Sequence, residues 1–208
     1  METKTKGLAT AVWQLKRDID VHEMILSNID HLHEKACDSF FGYVYWRSLN
    51  SIIVNICKIY EKEKTNEGGG IKFPLNSIGS ICNKIELDKY QLPEPLLSKF
   101  LKKYGNVETS PENKLSAFAK ITRDFGPKYS KTIAPLKKYR DQHGAHNQEI
   151  LPSTTTEMPS LQDIMPLYQF AYDFCELVNA KEGLVQFIDD KITMATKKII
   201  TRATELHE

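Results

Sequence analysis

Residues 38–63, DSFFGYVYWRSLNSIIVNICKIYEKE, run without a turn signal and place Phe41, Tyr45, Leu49, Ile52, Ile56 and Ile59 at steps of three and four. That spacing is the helical period, and it constrains the fold more than any other feature of the chain. The aromatic and β-branched content would suit a strand, but the uninterrupted length fits a helix better. Apolar residues cover more than half of its circumference, so the helix is expected at the centre of the fold.

The rest of the chain repeats the period and shows little strand alternation. Leu8, Val12, Leu15, Ile19, His22, Leu26, Ile29 and His33 form the seam of one long predicted helix, with Trp13 and Ile25 to its side. The three glycines of TNEGGG interrupt the pattern. Beyond them, Ile78, Ile81, Cys82 and Ile85 predict a short helix, and Leu96, Leu97, Phe100 and Leu101 another, with Pro95 in its first turn. Ser110-Pro111-Glu112 reads as a cap for a helix that buries Leu115, Phe118, Ile121 and Phe125 and stops at Gly126-Pro127. A motif helix is expected over about 128–146, kinked or shortened by Pro135. Ser160 caps a helix with Leu161, Ile164, Leu167 or Tyr168, Ala171, Cys175 and Val178 inward. Leu184, Ile188, Ile192, Ala195, Ile199, Ala203 and Leu206 mark the last helix. The expectation is one all-α domain over 1–208, a helical bundle with two long helical hairpins, the C-terminal one over 160–206, flanking shorter middle helices.

The chain has 208 residues, 41% of them hydrophobic, enough to make a core without a disulfide or metal. Lys and Arg number 28 against 27 Asp and Glu, which excludes a uniformly cationic nucleic-acid coat and leaves only a local patch. Cys37, Cys57, Cys82 and Cys175 stand singly, without a C-x-x-C pair, as buried thiols of a reducing compartment would. No long apolar run occurs at the start or elsewhere, so a soluble cytoplasmic protein without membrane contact is expected.

The stretch Tyr139-Arg140-Asp141-Gln142-His143-Gly144-Ala145-His146-Asn147 departs from this pattern. Projected at 100° per residue, the apolar stripe Tyr129, Ile133, Leu136 turns into Arg140 and His143. A guanidinium on that stripe must be paired, must snorkel to water, or must face a partner or ligand. On one reading these are basic groups at a helix C-terminus, with Arg140 paired to Asp141 or to an acid across the core. On the other they carry chemistry. A metal suits them poorly, since neither histidine has a cysteine nearby and Asp141 is the nearest acid.

Arg140, Asp141, a short spacer, then Ala145-His146 resembles the R-x(4 to 6)-H signature of the HEPN superfamily of all-α ribonucleases and RNA-binding domains. The aromatic-rich helix YVYWRSLNSIIVNICKIYEK, the glycine loop and the short helices before the motif resemble its abortive-infection U-like branch, over most of residues 10–180. The resemblance implies a metal-independent, cofactor-free endoribonuclease, a toxin or abortive-infection effector of phage defence. It further implies a homodimer with a composite cleft, RNA as substrate, and an antitoxin or other defence protein as a possible partner. A catalytically inactive RNA- or protein-binding module of the same fold is the alternative.

In that frame, Arg140 and His146 are the catalytic pair and Asp141 orients one of them. Histidine titrates near neutrality and can move either proton of a 2′-hydroxyl attack; arginine presents a planar fork to phosphate. His143, Asn147 and Arg47 are further candidates for the cleft wall, and an ion pair is the competing reading of Arg47. Lys131, Lys137 and Lys138 belong to a run of seven cations between Lys120 and Arg140, against the single acid Asp124. This run is either an RNA-binding surface or an ordinary solvated face.

Overall fold

The computed structural model describes residues 2–34, 38–61, 77–87, 91–105, 113–143, 158–179 and 191–205. Among them every regular element is a helix: α1 Glu2–Leu26, α2 Ile29–Glu34, α3 Asp38–Tyr60, α4 Ile78–Leu87, α5 Glu94–Gly105, α6 Lys114–Lys128, α7 Ser130–His143, α8 Leu161–Asn179 and α9 Lys191–Glu205. The chain is an all-α bundle. None of these helices is long and apolar enough to cross a membrane.

The centre is a pair, α1 against α3. Leu8, Leu15 and Ile19 of α1 and Ile52, Ile53, Ile56 and Ile59 of α3 are all enclosed in one core. α8 and α9 both lean on α1, α9 also on α2, and α7 lies across α3. Burying each of these aliphatic side chains contributes about 1.5–3 kcal/mol before chain entropy is set against it.

Two different materials fill the seams. Between α1 and α3 runs a line of buried and half-buried polar groups: Ser51 donates to the Asp18 carboxylate, and Asn55 donates to Ser51 Oγ at 3.3 Å. One turn further along α1, His22 Nδ1 stands 3.0 Å from Ser48 Oγ. The Ser48 hydroxyl gives its proton to the Tyr45 carbonyl at 2.7 Å, so its oxygen accepts from His22 Nδ1–H. The imidazole stacks on Tyr45 with centroids 4.3 Å apart.

Where α5, α6 and α8 meet the carboxyl end of α3, the filling is aromatic. Phe170 stacks on Phe125 at 3.6 Å and meets Tyr104 and Phe100 at 4.8 and 5.4 Å, while Phe118 stacks on Phe174 at 5.7 Å. Tyr60 joins this cluster through Phe125, and its hydroxyl donates to the Leu167 carbonyl at 2.5 Å. The end of α3 is thereby tied to α8.

The structure corrects several boundaries. The predicted first helix breaks at Ser27-Asn28, where Asn28 Nδ2 and Ser27 Oγ donate to the Met24 carbonyl at 2.8 and 3.2 Å. These short side chains take the place of the next turn's amide, and the helix restarts as α2. Leu26 and Ile29, placed on the seam, are exposed, and Ile25 is buried instead. Pro127 lies inside the last turn of α6, which runs on to Lys128 and is capped by Tyr129, whose amide donates to the Gly126 carbonyl at 3.1 Å. The α6 cap expected at Ser110-Pro111-Glu112 lies outside the described residues; Leu115 is exposed. Pro135 sits within α7 without ending it. Among the described side chains of α9 the buried one is Ile200, with Ile199 turned outward; Leu184, Ile188 and Leu206 lie outside the described residues. The Ser160 cap stands: Ser160 Oγ accepts from the Asp163 amide at 3.2 Å, and Asp163 accepts from the Ser160 amide at 2.9 Å.

Candidate functional site

The stripe that positions the motif is Tyr129, Ile133, Leu136 and Arg140, and Ile133 and Leu136 are buried. They hold α7 across α3, so that Arg140, one turn after Leu136, arrives beside the carboxyl end of α3. There it meets Glu61. Arg140 Nη1 donates to Glu61 Oε2 at 2.7 Å and Nη2 to Oε1 at 2.8 Å, a fork-to-fork ion pair. Arg140 Nε and Nη2 also donate to Asp141 Oδ1, at 2.9 and 2.7 Å.

Four of the five guanidinium N–H groups are thus engaged. The two carboxylates differ in setting. The side chains of Arg140 and Glu61 are 21% and 26% exposed, whereas that of Asp141 is 64% exposed. Glu61 raises the hold of Arg140 on its proton more than Asp141 does, against the cost of burial. Beneath the pair lies Cys57, fully enclosed, whose thiol burial pushes up to about 11 despite the attraction of Arg140. It is an inert core group. Cys82 and Cys175 are also buried thiols, and Cys37 falls outside the described residues.

The motif's other members divide. His143 is the last residue of α7, its side chain outside the described part, and His146 and Asn147 lie outside the described residues altogether. Arg47 is on α3, fourteen residues before Glu61 and therefore about 21 Å away along the helix. It does not join Arg140. Its guanidinium lies 5.9 Å from the Tyr43 ring centroid, and among the described residues it has no carboxylate partner in place of the expected ion pair. Lys131 and Lys138 are exposed on the side of α7 roughly 160–180° from Arg140; Lys137 alone of the three shares its side. The cationic run therefore does not converge on one point.

Glu61 is the functional neighbour that the sequence reading passed over. Its signal was present: it is the only acid from Ser39 to Glu61, at the end of a helix whose inward face is largely apolar, as Arg140 is the only cation on the buried stripe of its own. Among the described residues no group of three or more histidine, cysteine or acidic side chains is placed to hold a metal. Comparison with protein-family models, with curated proteins and with solved structures finds no match to this chain.

Proposed function

We propose that the protein is a metal-independent endoribonuclease of the HEPN type that acts as a homodimer, each chain bringing one Arg140 and one His146 to a shared cleft. The observation that carries this reading is the state of Arg140: a motif arginine at the end of its helix, gripped along one edge by Glu61 and along the other by a largely exposed Asp141. A phosphate that approaches the Nε/Nη2 edge competes only with Asp141, since an exposed pair is worth about 0–1 kcal/mol. Glu61 keeps the opposite edge fixed meanwhile. The guanidinium is thereby preorganised to meet the charge of a phosphorane. His146 moves the protons, taking one from the attacking 2′-hydroxyl or giving one to the departing 5′-oxygen, the second chain's histidine serving the other step. As a nuclease of this kind the protein is an effector of phage defence, held in check by an antitoxin or another defence protein.

One observation favours the second reading, a silent RNA- or protein-binding module: both edges of the Arg140 fork are already occupied. End-labelled RNA incubated with the purified protein separates the two. Cleavage is expected to persist in EDTA and to leave 2′,3′-cyclic phosphate and 5′-hydroxyl ends. His146→Ala lowers the rate about 100- to 10,000-fold and Arg140→Ala about 100- to 1,000-fold, with His143→Ala milder. Loss in EDTA with rescue by magnesium overturns the mechanism. RNA bound but never cut leaves the silent module, and light scattering at only the 23.9 kDa mass of one chain removes the shared cleft.

A further inference from the structure

The outer face of α3 has a composition that the core does not explain. At 100° per residue, Phe40, Tyr43, Arg47, Asn50, Val54, Lys58 and Glu61 fall within an arc of about 80°, with Trp46 about 40° beyond its edge. Phe40, Tyr43 and Trp46 are 57%, 63% and 47% exposed, on successive turns of one helix. Arg47, next after Trp46, has its guanidinium toward the Tyr43 ring. The face is continuous with the site already described: Asn50 accepts from the Tyr139 hydroxyl at 3.3 Å, and Glu61 holds Arg140. From Tyr43 to Glu61 the helix rises about 27 Å.

We infer that this face of α3 is a track for single-stranded RNA, with Tyr43 and Trp46 as stacking platforms and Arg47 and Lys58 as phosphate contacts, running toward Arg140. The inference deepens the proposed function, since the strand on the track is the substrate of that site. Three features favour a nucleic acid over a second copy of the chain. The exposed rings give way along the face to the polar and cationic Arg47, Asn50 and Lys58, with no exposed aliphatic side chain between Ser39 and Glu61. The only acids whose side chains are described on this face and on α7 are Glu61 and Asp141, and both are engaged by Arg140. A two-fold self-contact over the stripe would set Arg47 and Lys58 against a surface whose one described carboxylate, Glu61, is already held by Arg140. A polyanion with unpaired bases satisfies both halves of the surface, each ring accepting a base of any identity and each cation a phosphate. The length fits a strand within the roughly 4–16 nucleotides that single-strand modules cover. A duplex, with its bases already stacked, offers nothing to the rings.

The test uses the full chain and a fluorescein-labelled 12-nucleotide oligouridylate carrying 2′-O-methyl groups, which 2′-hydroxyl attack cannot cleave. Anisotropy is expected to show binding that weakens with salt and is not displaced by an equal-length RNA duplex. Tyr43→Ala and Trp46→Ala each weaken it about 5- to 150-fold, the range of one lost stacked base. Arg47→Ala weakens it less and lowers the salt slope by about 1. Leu115→Ala, an exposed residue of α6, leaves it unchanged. In a Trp13→Phe background Trp46 is the one tryptophan of the chain, and its emission is expected to quench as the strand binds. Unchanged affinity in both aromatic variants, or a duplex bound as well as the single strand, overturns the track. So does a fall from dimer to monomer on Trp46→Ala in sedimentation with RNA affinity intact, since the face is then a protein contact. Failure of the nuclease reading looks different: the strand binds through Tyr43 and Trp46, and unmodified RNA is never cut.

Discussion

At the carboxyl end of α3 the Tyr60 ring lies against Phe125, and its hydroxyl reaches across to the Leu167 carbonyl of α8. At the amino end of the same helix Phe40, Tyr43 and Trp46 stand in solvent; beneath them Phe41 is buried with Val21, Ile25 and Leu32, beside a polar group of His22, Ser48 and the Tyr45 carbonyl. Both ends are rich in rings. The difference is what covers them, since α5, α6 and α8 close over one end through the Phe170 cluster, and α7 bonds to the helix at Asn50 and to Glu61 just beyond its end. An aromatic side chain thus reports a demand for area, and the neighbouring elements decide whether the core or a ligand supplies it.

The largest effect that this contrast predicts is on stability. Phe170→Ala removes a fully buried ring in contact with Phe100, Tyr104 and Phe125 and is expected to cost about 3–5 kcal/mol in urea denaturation, the range of large-to-small aromatic changes in a core. Tyr43→Ala, at the open end, is expected to stay within about 0.5 kcal/mol of the parent. Equal costs at the two positions would break the comparison, because they would mean that Tyr43 is covered in solution.

How much of this the sequence disclosed follows the same division. The closed end was readable: Phe118, Phe125, Leu167, Ala171 and Cys175 recur at helical steps, and each lies in the core. The break after α1 was not, because Ser27 and Asn28 act through hydrogen bonds to a carbonyl that an apolar period does not register. The exposure of Tyr43 and Trp46 was hidden for a related reason. Rings almost all round a helix look like burial on every side, and which side stays open among the described residues is set by how the other helices pack on it. At the candidate site, Arg140 on an apolar stripe announced a buried partner, and the alternatives of Asp141 and an acid across the core both hold. Which acid it was depended on how α7 crosses α3, a tertiary fact that no spacing within either helix contains.

A smaller effect separates the ends by pH. Burial holds the His22 imidazole below its ordinary value near 6.5, the backbone contact with Tyr45 offsetting part of that fall. The folded protein therefore keeps His22 neutral where the unfolded chain already takes a proton. The stability from this site is complete above about pH 6.5 and declines as pH drops from there toward the folded value, at a slope of at most about 1.4 kcal/mol per unit. Melting followed from pH 7.5 to 5 is expected to show this decline in the parent and a flatter profile in His22→Gln. Glu94 and Asp163, whose carboxyls are held low by Lys114 and Ser160, lose their contributions only at more acidic pH. Parallel curves for parent and variant would remove His22 as the titrating group of the polar seam.

The smallest predicted effect probes the amino end of α3 directly. Gly42 sits inside the helix between Phe41 and Tyr43, and a Cβ built there meets no atom within 4 Å. Alanine at that position restricts the unfolded chain and improves helix propensity without a clash, so Gly42→Ala is expected to stabilise the fold by about 0.5–1 kcal/mol. Gly105, the last residue of α5, supplies the contrast. A Cβ there comes 3.0 Å from Ile121 Cδ1, so the side chain has to shift and the gain of Gly105→Ala is smaller or reversed. The order of the two melting temperatures is the measurement. Gly42→Ala above the parent and Gly105→Ala below Gly42→Ala agree with an open amino end and a packed α5–α6 seam. A Gly42→Ala that melts below the parent would place another surface against the start of α3, and the exposed rings beside it would then have to be reassigned from a strand of RNA to that surface.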